Sequence, residues 1–248
     1  MKLLVISDVH SNVHALHAIE QQEGTWDAVL FAGDMIDFGL QPHEVVCWMR
    51  DHNVIAVAGN HDTGLAAIYN NGFLPLDDPL KAESFCHHNL SVLTKEDMEY
   101  VAALPLEVTV AFDGITYFMT HIYDYDDCHA ILHHLEKYDS IDTFESYWLE
   151  KVGKTEGKRC LILGDSHHCM MLQLKKDTMV INPGAAGYNL GADSAYKGAS
   201  YIVIEDGIPY FKWADYDTSA DYQAVLTQMT KLEEWQRATG LAIFKPEK

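Results

Sequence analysis

Residues 3–8 read Leu3-Leu4-Val5-Ile6-Ser7-Asp8, and residues 28–34 read Ala28-Val29-Leu30-Phe31-Ala32-Gly33-Asp34. Each is a short apolar run that ends on a small residue and an aspartate. Residues 3–7 and 28–32 are therefore predicted to be buried strands, since apolar runs of this length suit a strand covered on both faces. Between them Val13, Leu16 and Ile19 recur every third residue, the spacing of an amphipathic helix. Pro42 opens a second helical pattern through Val45, Val46 and Met49, and residues 54–58 form a third strand. Strand–helix–strand–helix–strand implies parallel pairing with helical crossovers, so the fold class is α/β.

The second half changes character. Residues 108–112 and 115–120 flank Asp113-Gly114, and residues 201–205 and 208–212 flank Asp206-Gly207. Asp-Gly accepts the positive φ of a tight primed turn, so both read as hairpins. Further strands are expected near 160–163, 170–174 and 179–181. Residues 78–104 and 126–152 read as inserted helical segments. A last helix is expected over 219–238, with Ser219 as N-cap and Gly240 as stop, and with Tyr222, Val225, Leu226, Met229, Leu232 and Trp235 on one side. No linker or repeat interrupts the chain, so residues 1–248 are expected to form one domain.

Composition narrows the function. The 248 residues are 48% hydrophobic and 22% charged, a mix that supports a sizeable core and excludes a disordered chain. No apolar run reaches the ~18 residues of a membrane span, and residues 3–6 are too short for a signal-peptide core. Cysteines 47, 86, 128, 160 and 169 are odd in number and widely spaced, which suits reduced thiols in a cytoplasmic protein. The net charge is −20, and arginine occurs only at 50, 159 and 237. A partner held by a long phosphate backbone is therefore not expected. Histidine is the surplus residue, at 14.

The polar residues that carry chemistry stand directly after strands. Asp8-Val9-His10 follows the first and Gly33-Asp34 the second, while Gly59-Asn60-His61-Asp62 follows the third. Thr120-His121 ends a hairpin strand, and Gly164-Asp165-Ser166-His167 follows residues 160–163. In an open parallel sheet the carboxyl ends of strands line the binding crevice. Five segments would thus deliver carboxylate, amide and imidazole donors, all ligands for divalent ions, to one place. Asp8 and His10, two apart in extended chain, would point to the same side.

In these motifs the sequence resembles the calcineurin-like metallophosphoesterases, in particular their small bacterial and archaeal branch. The likeness covers most of residues 1–187, from Ser7–Asn12 through Gly33–Gly39, Gly59–Asp62, His121 and Gly164–His167 to Asn182-Pro183-Gly184. It implies a four-layer α/β/β/α sandwich with two divalent ions at the sheet ends. By similarity Asp8, His10 and His167 would hold the first ion, and Asn60, His121 and Asp165 the second. Asp34 would bridge the pair. His61 matches the catalytic histidine and Asp37 the acid that orients it. The reaction implied is attack of a metal-bridging hydroxide on phosphorus, with His61 protonating the leaving oxygen. Mn or Fe is the expected metal, with Mg, Zn or Ni as alternatives.

Three departures bear on substrate. Asp165 stands where the family usually has a histidine, and a carboxylate there lowers the positive charge of the loaded site. No arginine falls in any motif: Ala58 and Phe38 occupy positions where relatives often carry one. Both features favour a small phosphodiester or nucleotide over a doubly charged phosphomonoester. After His121 the chain runs Ile122-Tyr123-Asp124-Tyr125-Asp126-Asp127, so Tyr123 would border the pocket and stack on a substrate, or the loop is simply a solvated acidic start to a helix. The alternatives are a phosphomonoesterase or protein phosphatase on the same scaffold, and a non-catalytic interaction protein. Self-association through the 219–238 helix is left open. Asn182 is read as shaping the crevice wall or satisfying backbone.

Overall fold

On β1 (Lys2–Ile6) the apolar side chains divide by parity. Leu3 and Val5 pack with Leu30 of β2 (Ala28–Phe31) against a second sheet. Leu4 and Ile6 pack with Val29 and Phe31 against helices. Burial on both faces is why these strands read as continuous apolar runs rather than alternating ones. The structure, a computed structural model, describes residues 1–73, 76–121, 157–175, 177–187 and 198–245.

The crossovers are α1 (Val13–Glu23) and α2 (Pro42–Asp51), and the short β3 (Ile55–Ala56) completes the parallel trio. After α3 (Asn60–Asn70) the expected helical segment 78–104 resolves into a 3-10 turn at Pro79–Lys81, α4 (Phe85–Val92) and α5 (Lys95–Ala102). The break at Leu93-Thr94 has a cause: Thr94 and Asp97 form a reciprocal capping box that starts α5 afresh.

Strands β4 (Glu107–Phe112) and β5 (Ile115–Thr120) form the first expected hairpin, with φ positive at both Asp113 and Gly114. Then come β6 (Lys158–Ile162), β7 (Cys169–Lys175), β8 (Thr178–Pro183), β9 (Ala199–Glu205) and β10 (Ile208–Ala214). One sheet has the order β10-β9-β1-β2-β3 and the other β4-β5-β6-β8-β7. The second hairpin thus joins the parallel trio, with β9 antiparallel to β1. Tyr117, Met119, Ile162, Ile181, Ile202 and Ile204 fill the space between the sheets. The architecture is the expected α/β sandwich with helices on an outer face. The helical segment expected at 126–152 lies outside the described residues.

The C-terminal expectation needs correction. Residues 219–238 are not one helix but α6 (Ser219–Thr227) and the start of α7 (Glu234–Ile243), with a turn between. Met229 and Leu232 in that turn are buried with Val225, Phe85 and Phe244, whereas Leu226 and Trp235 are exposed. Folding the chain back packs Met229 and Leu232 into one cluster with Phe85 of α4. Thr218, not Ser219, precedes the first turn, and its hydroxyl donates to the Phe244 carbonyl. Gly240 does not stop the helix: it lies inside α7, where a Cβ would meet the Phe85 ring. Among the described residues no helix is long and apolar enough to cross a membrane.

One buried ion cluster ties α1 to three strands. The Glu23 carboxylate, 2% exposed, pairs with Lys2 Nζ at 2.7 Å and Lys212 Nζ at 2.9 Å, and accepts from the Tyr201 hydroxyl at 2.6 Å. Burial opposes its charge, but these donors outweigh burial and hold its pKa down at about 2. A depressed carboxyl contributes stability above its unfolded value of 4.5 and loses it as pH falls through about 2. Glu23→Ala is therefore expected to cost about 3 kcal/mol at neutral pH. It should also flatten the acid limb of a stability–pH curve from urea unfolding; an unchanged limb would contradict this role.

Candidate metal centre

The five sequence motifs converge at the carboxyl ends of β1, β2, β5 and β6 and the N-terminus of α3. They do so through unusual backbone. Asp8, His10, Ser11, Asp34, Asp37, Phe38, Asp165 and His167 all have positive φ, between 47° and 80°. Non-glycine residues pay a steric penalty there, and such residues cluster at functional sites. The expectation that Asp8 and His10 align through extended geometry is therefore wrong in its reason. Their loop is instead zipped to the β2 loop, with the amides of Asp8, His10 and Ser11 donating to the carbonyls of Gly33, Asp34 and Met35 at 2.8–3.1 Å. Those bonds aim both side chains into the site.

Two donor sets result. In the first, Asp8 Oδ1 lies 3.1 Å from His167 Nε2 and 3.9 Å from His10 Nε2, and the two imidazole nitrogens are 3.3 Å apart. In the second, His121 Nε2 lies 3.1 Å from Asn60 Oδ1 and 3.9 Å from Asp165 Oδ1. Asp34 belongs to both: its Oδ2 is 3.7 Å from His10 Nε2 and 3.2 Å from His121 Nε2. Its other oxygen accepts from the His61 amide, which fixes the carboxylate plane. His121 Nδ1 donates to the Ala32 carbonyl at 2.6 Å, which turns Nε2 toward the cluster. Asp165 stands at the rim, with its side chain 28% exposed.

The charge balance fits cations. Asp8 is fully buried, yet no donor among the described residues reaches its Oδ2. Separations of 3–4 Å between oxygens and imidazole nitrogens are those of atoms sharing ions at about 2.0–2.2 Å. Burial opposes the proton on His121, but the Asp34 and Asp8 charges overcome it and lift this group to about 10. His167 is raised in the same way by Asp8. His10, dominated by burial, falls to about 4. Burial and the charges of Asp8 and Asp34 push Asp165 up. The rises at His121, His167 and Asp165 are the responses of groups facing buried carboxylates.

Beside this cage His61 Nδ1 lies 2.8 Å from Asp37 Oδ2, the pairing expected from sequence. Burial opposes its proton, but the Asp37 hydrogen bond and the Asp34, Asp37 and Asp62 charges raise it to about 9. The Phe38 ring sits edge-on to both His61 and His10, at 5.1 and 5.7 Å. Asn182 braces the crevice wall: its amide donates to the Gly164 carbonyl and the Ser166 hydroxyl, and its oxygen accepts from Gly184. Tyr123 lies outside the described residues.

Two supporting residues escaped the sequence reading. Asp62, fully buried, accepts from the amides of Gly59, Asp34, Met35 and Ile36 at 2.9–3.2 Å. Burial and the Asp34 charge push its carboxyl up to about 7, against four amides that favour the anion. Its place three residues after Gly59 is a capping-box position, a signal the sequence did carry. Asn89 on α4 accepts from the Ser11 hydroxyl and the Asp37 amide and donates to the Gly39 and Phe85 carbonyls. A lone asparagine inside an amphipathic helix announces nothing of that kind.

The chain belongs to the calcineurin-like phosphoesterase superfamily, whose domain matches residues 1–205. The family implies divalent metal ions, and the donor sets above are where this chain offers ligands. A stretch of 131 residues is 28% identical to an uncharacterised protein of Methanocaldococcus jannaschii, and the match spans about half, 48%, of each chain. The fold is that of a metallophosphoesterase from Sphaerobacter thermophilus, with a TM-score of 0.67 at 24% identity over 98% of this chain and 99% of that one. It is also that of a hypothetical protein from Pyrococcus horikoshii, with a TM-score of 0.65 at 16% identity over 96% of both chains.

Proposed function

We propose that the chain is a dinuclear metal-dependent hydrolase of phosphoric esters, selective for a small phosphodiester or nucleotide. The observation that carries the reading is Asp34 Oδ2, placed between His10 Nε2 and His121 Nε2 with a full donor set on either side. Asp8, His10 and His167 would hold one divalent ion, Asn60, His121 and Asp165 the other, and Asp34 both. Mn or Fe suits so oxygen-rich a set. When bound, such a pair activates a water as nucleophile and neutralises charge on the phosphoryl oxygens. His61, held by Asp37 through Nδ1, delivers a proton from its other ring nitrogen to the leaving oxygen. Asn89 holds the Asp37 amide, and Asp62 the amides of Asp34 and Gly59, so both act through the backbone of the donor loops. Four carboxylates in and around the cage, and no arginine in any of its motifs, favour a substrate with one negative charge per phosphate.

The test is a panel of chromogenic esters with the Mn-loaded protein. A kcat/KM for a diester at least about tenfold above that for a matched monoester is expected, a difference of about 1.4 kcal/mol in transition-state binding. The reverse order overturns the diester preference, and no turnover of either overturns the enzymatic reading. His61→Asn should lower kcat about 10²- to 10³-fold while metal content stays unchanged. Loss of metal in that variant would instead make His61 a support for Asn60. Asp165→His should change both Mn affinity and rate; if neither moves, Asp165 is not a ligand.

A further inference from the structure

A second group of metal-ligating side chains lies on the outer helices, away from the phosphoesterase centre. His43 and Cys47 stand four residues apart on α2, hence on one face, and Asp97 reaches them from α5. Cys47 Sγ is 3.6 Å from His43 Nε2 and 4.0 Å from its Nδ1, and His43 Nδ1 is 2.7 Å from Asp97 Oδ2. One ligand atom from each residue lies within 4.8 Å of the other two. We propose that His43, Cys47 and Asp97 form a mononuclear site for a borderline-soft divalent ion of the zinc class, completed by water and clamping α2 to α5.

Three features carry the assignment. Tetrahedral zinc with sulfur at about 2.3 Å and nitrogen at about 2.0–2.1 Å sets its ligand atoms about 3.3–3.6 Å apart. Around Nδ1 of the half-exposed His43 the separations are 2.7 Å to Asp97 Oδ2 and 4.0 Å to Cys47 Sγ, on either side of that range. Asp97 is 1% exposed and already oriented, because its Oδ2 accepts from the Thr94 amide at 2.8 Å and hydroxyl at 2.7 Å. These bonds hold the carboxylate in place beside His43 and Cys47. Finally, a thiolate and a carboxylate balance one dication, and sulfur with imidazole selects zinc over the harder ions that suit the oxygen-rich centre. The consequence is structural: α5 packs on α3, which carries Asn60 and His61, and α2 follows the loop that carries Asp37.

The test uses sulfur, which the Asp34 centre lacks. Cobalt titrated into the Mn-loaded 248-residue chain should produce a thiolate-to-metal charge-transfer band with one equivalent taken up. Cys47→Ser should abolish the band, and His43→Gln should weaken cobalt binding at least tenfold. In the unaltered protein, saturating zinc should slow maleimide labelling of Cys47 at least tenfold, read by peptide mass, which needs no variant to fold. Absence of the band, its persistence in Cys47→Ser, or equal labelling with and without zinc would reduce the cluster to a His43–Asp97 ion pair beside a thiol.

Discussion

Asp34→Asn should bring metal content down from two ions per chain to one or fewer and lower kcat/KM by about 10³- to 10⁴-fold. The size follows from the geometry. Asp34 Oδ2 lies close to both donor sets, at 3.7 Å from His10 Nε2 and 3.2 Å from His121 Nε2. Although Asp34 is buried, the imidazoles of His121, His10 and His61 hold its carboxyl well below the ordinary range. An amide keeps the shape and the acceptor for the His61 amide but carries no charge to share. The two-ion clamp supplies several kcal/mol of transition-state stabilisation, and each 1.4 kcal/mol is about tenfold in rate. Metal analysis by plasma spectrometry alongside steady-state kinetics checks both quantities. A variant with two ions and a rate within tenfold of the parent would remove the bridging role.

Asp62→Ala should cost about 5 kcal/mol of stability, a large part of the 5–15 kcal/mol that holds a typical domain together. The side chain makes no contact with solvent and gathers four backbone amides from two loops. Each buried N–H left bare costs about 1–3 kcal/mol, and relaxation recovers only part of it. Asp62→Asn should also destabilise, because its amide nitrogen would face N–H donors where a carboxylate oxygen accepts. Urea unfolding of chelator-treated protein separates this from the loss of bound metal. A midpoint shift for Asp62→Ala no larger than that of an ordinary surface substitution would contradict the role. The same amides shape the β2 loop, so the variant should also bind divalent ions more weakly.

What could be read from sequence, and what could not, divides along a physical line. The strands at the core of the sandwich were legible because burial on both faces demands unbroken apolar runs, as in Leu3–Ile6. The hairpins were legible because Asp113-Gly114 and Asp206-Gly207 are suited to the positive φ they adopt. The donor residues were legible because each follows such a run, and in the structure Asp8, His10, Asp34, Asn60, His121 and His167 lie together. The backbone that aims them was not. Left-handed φ at Asp8 and His10 is imposed by hydrogen bonds to the β2 loop, a tertiary effect with no local signature. The break after Thr227 was hidden for a similar reason: the helical stripe is continuous in sequence, but Phe85 and Phe244 bury more of it when the chain turns. Asn89 was hidden because its four partners come from separate segments. His43 stands in no motif, and nothing in the sequence places Asp97 beside it.

The most direct test of the central claim is anomalous diffraction from crystals grown with Mn²⁺, measured near the manganese edge. The account predicts two peaks about 3.5–4 Å apart. One should lie among Asp8, His10 and His167, the other among Asn60, His121 and Asp165, with Asp34 touching both. A single peak, or a pair that does not share Asp34, would contradict it.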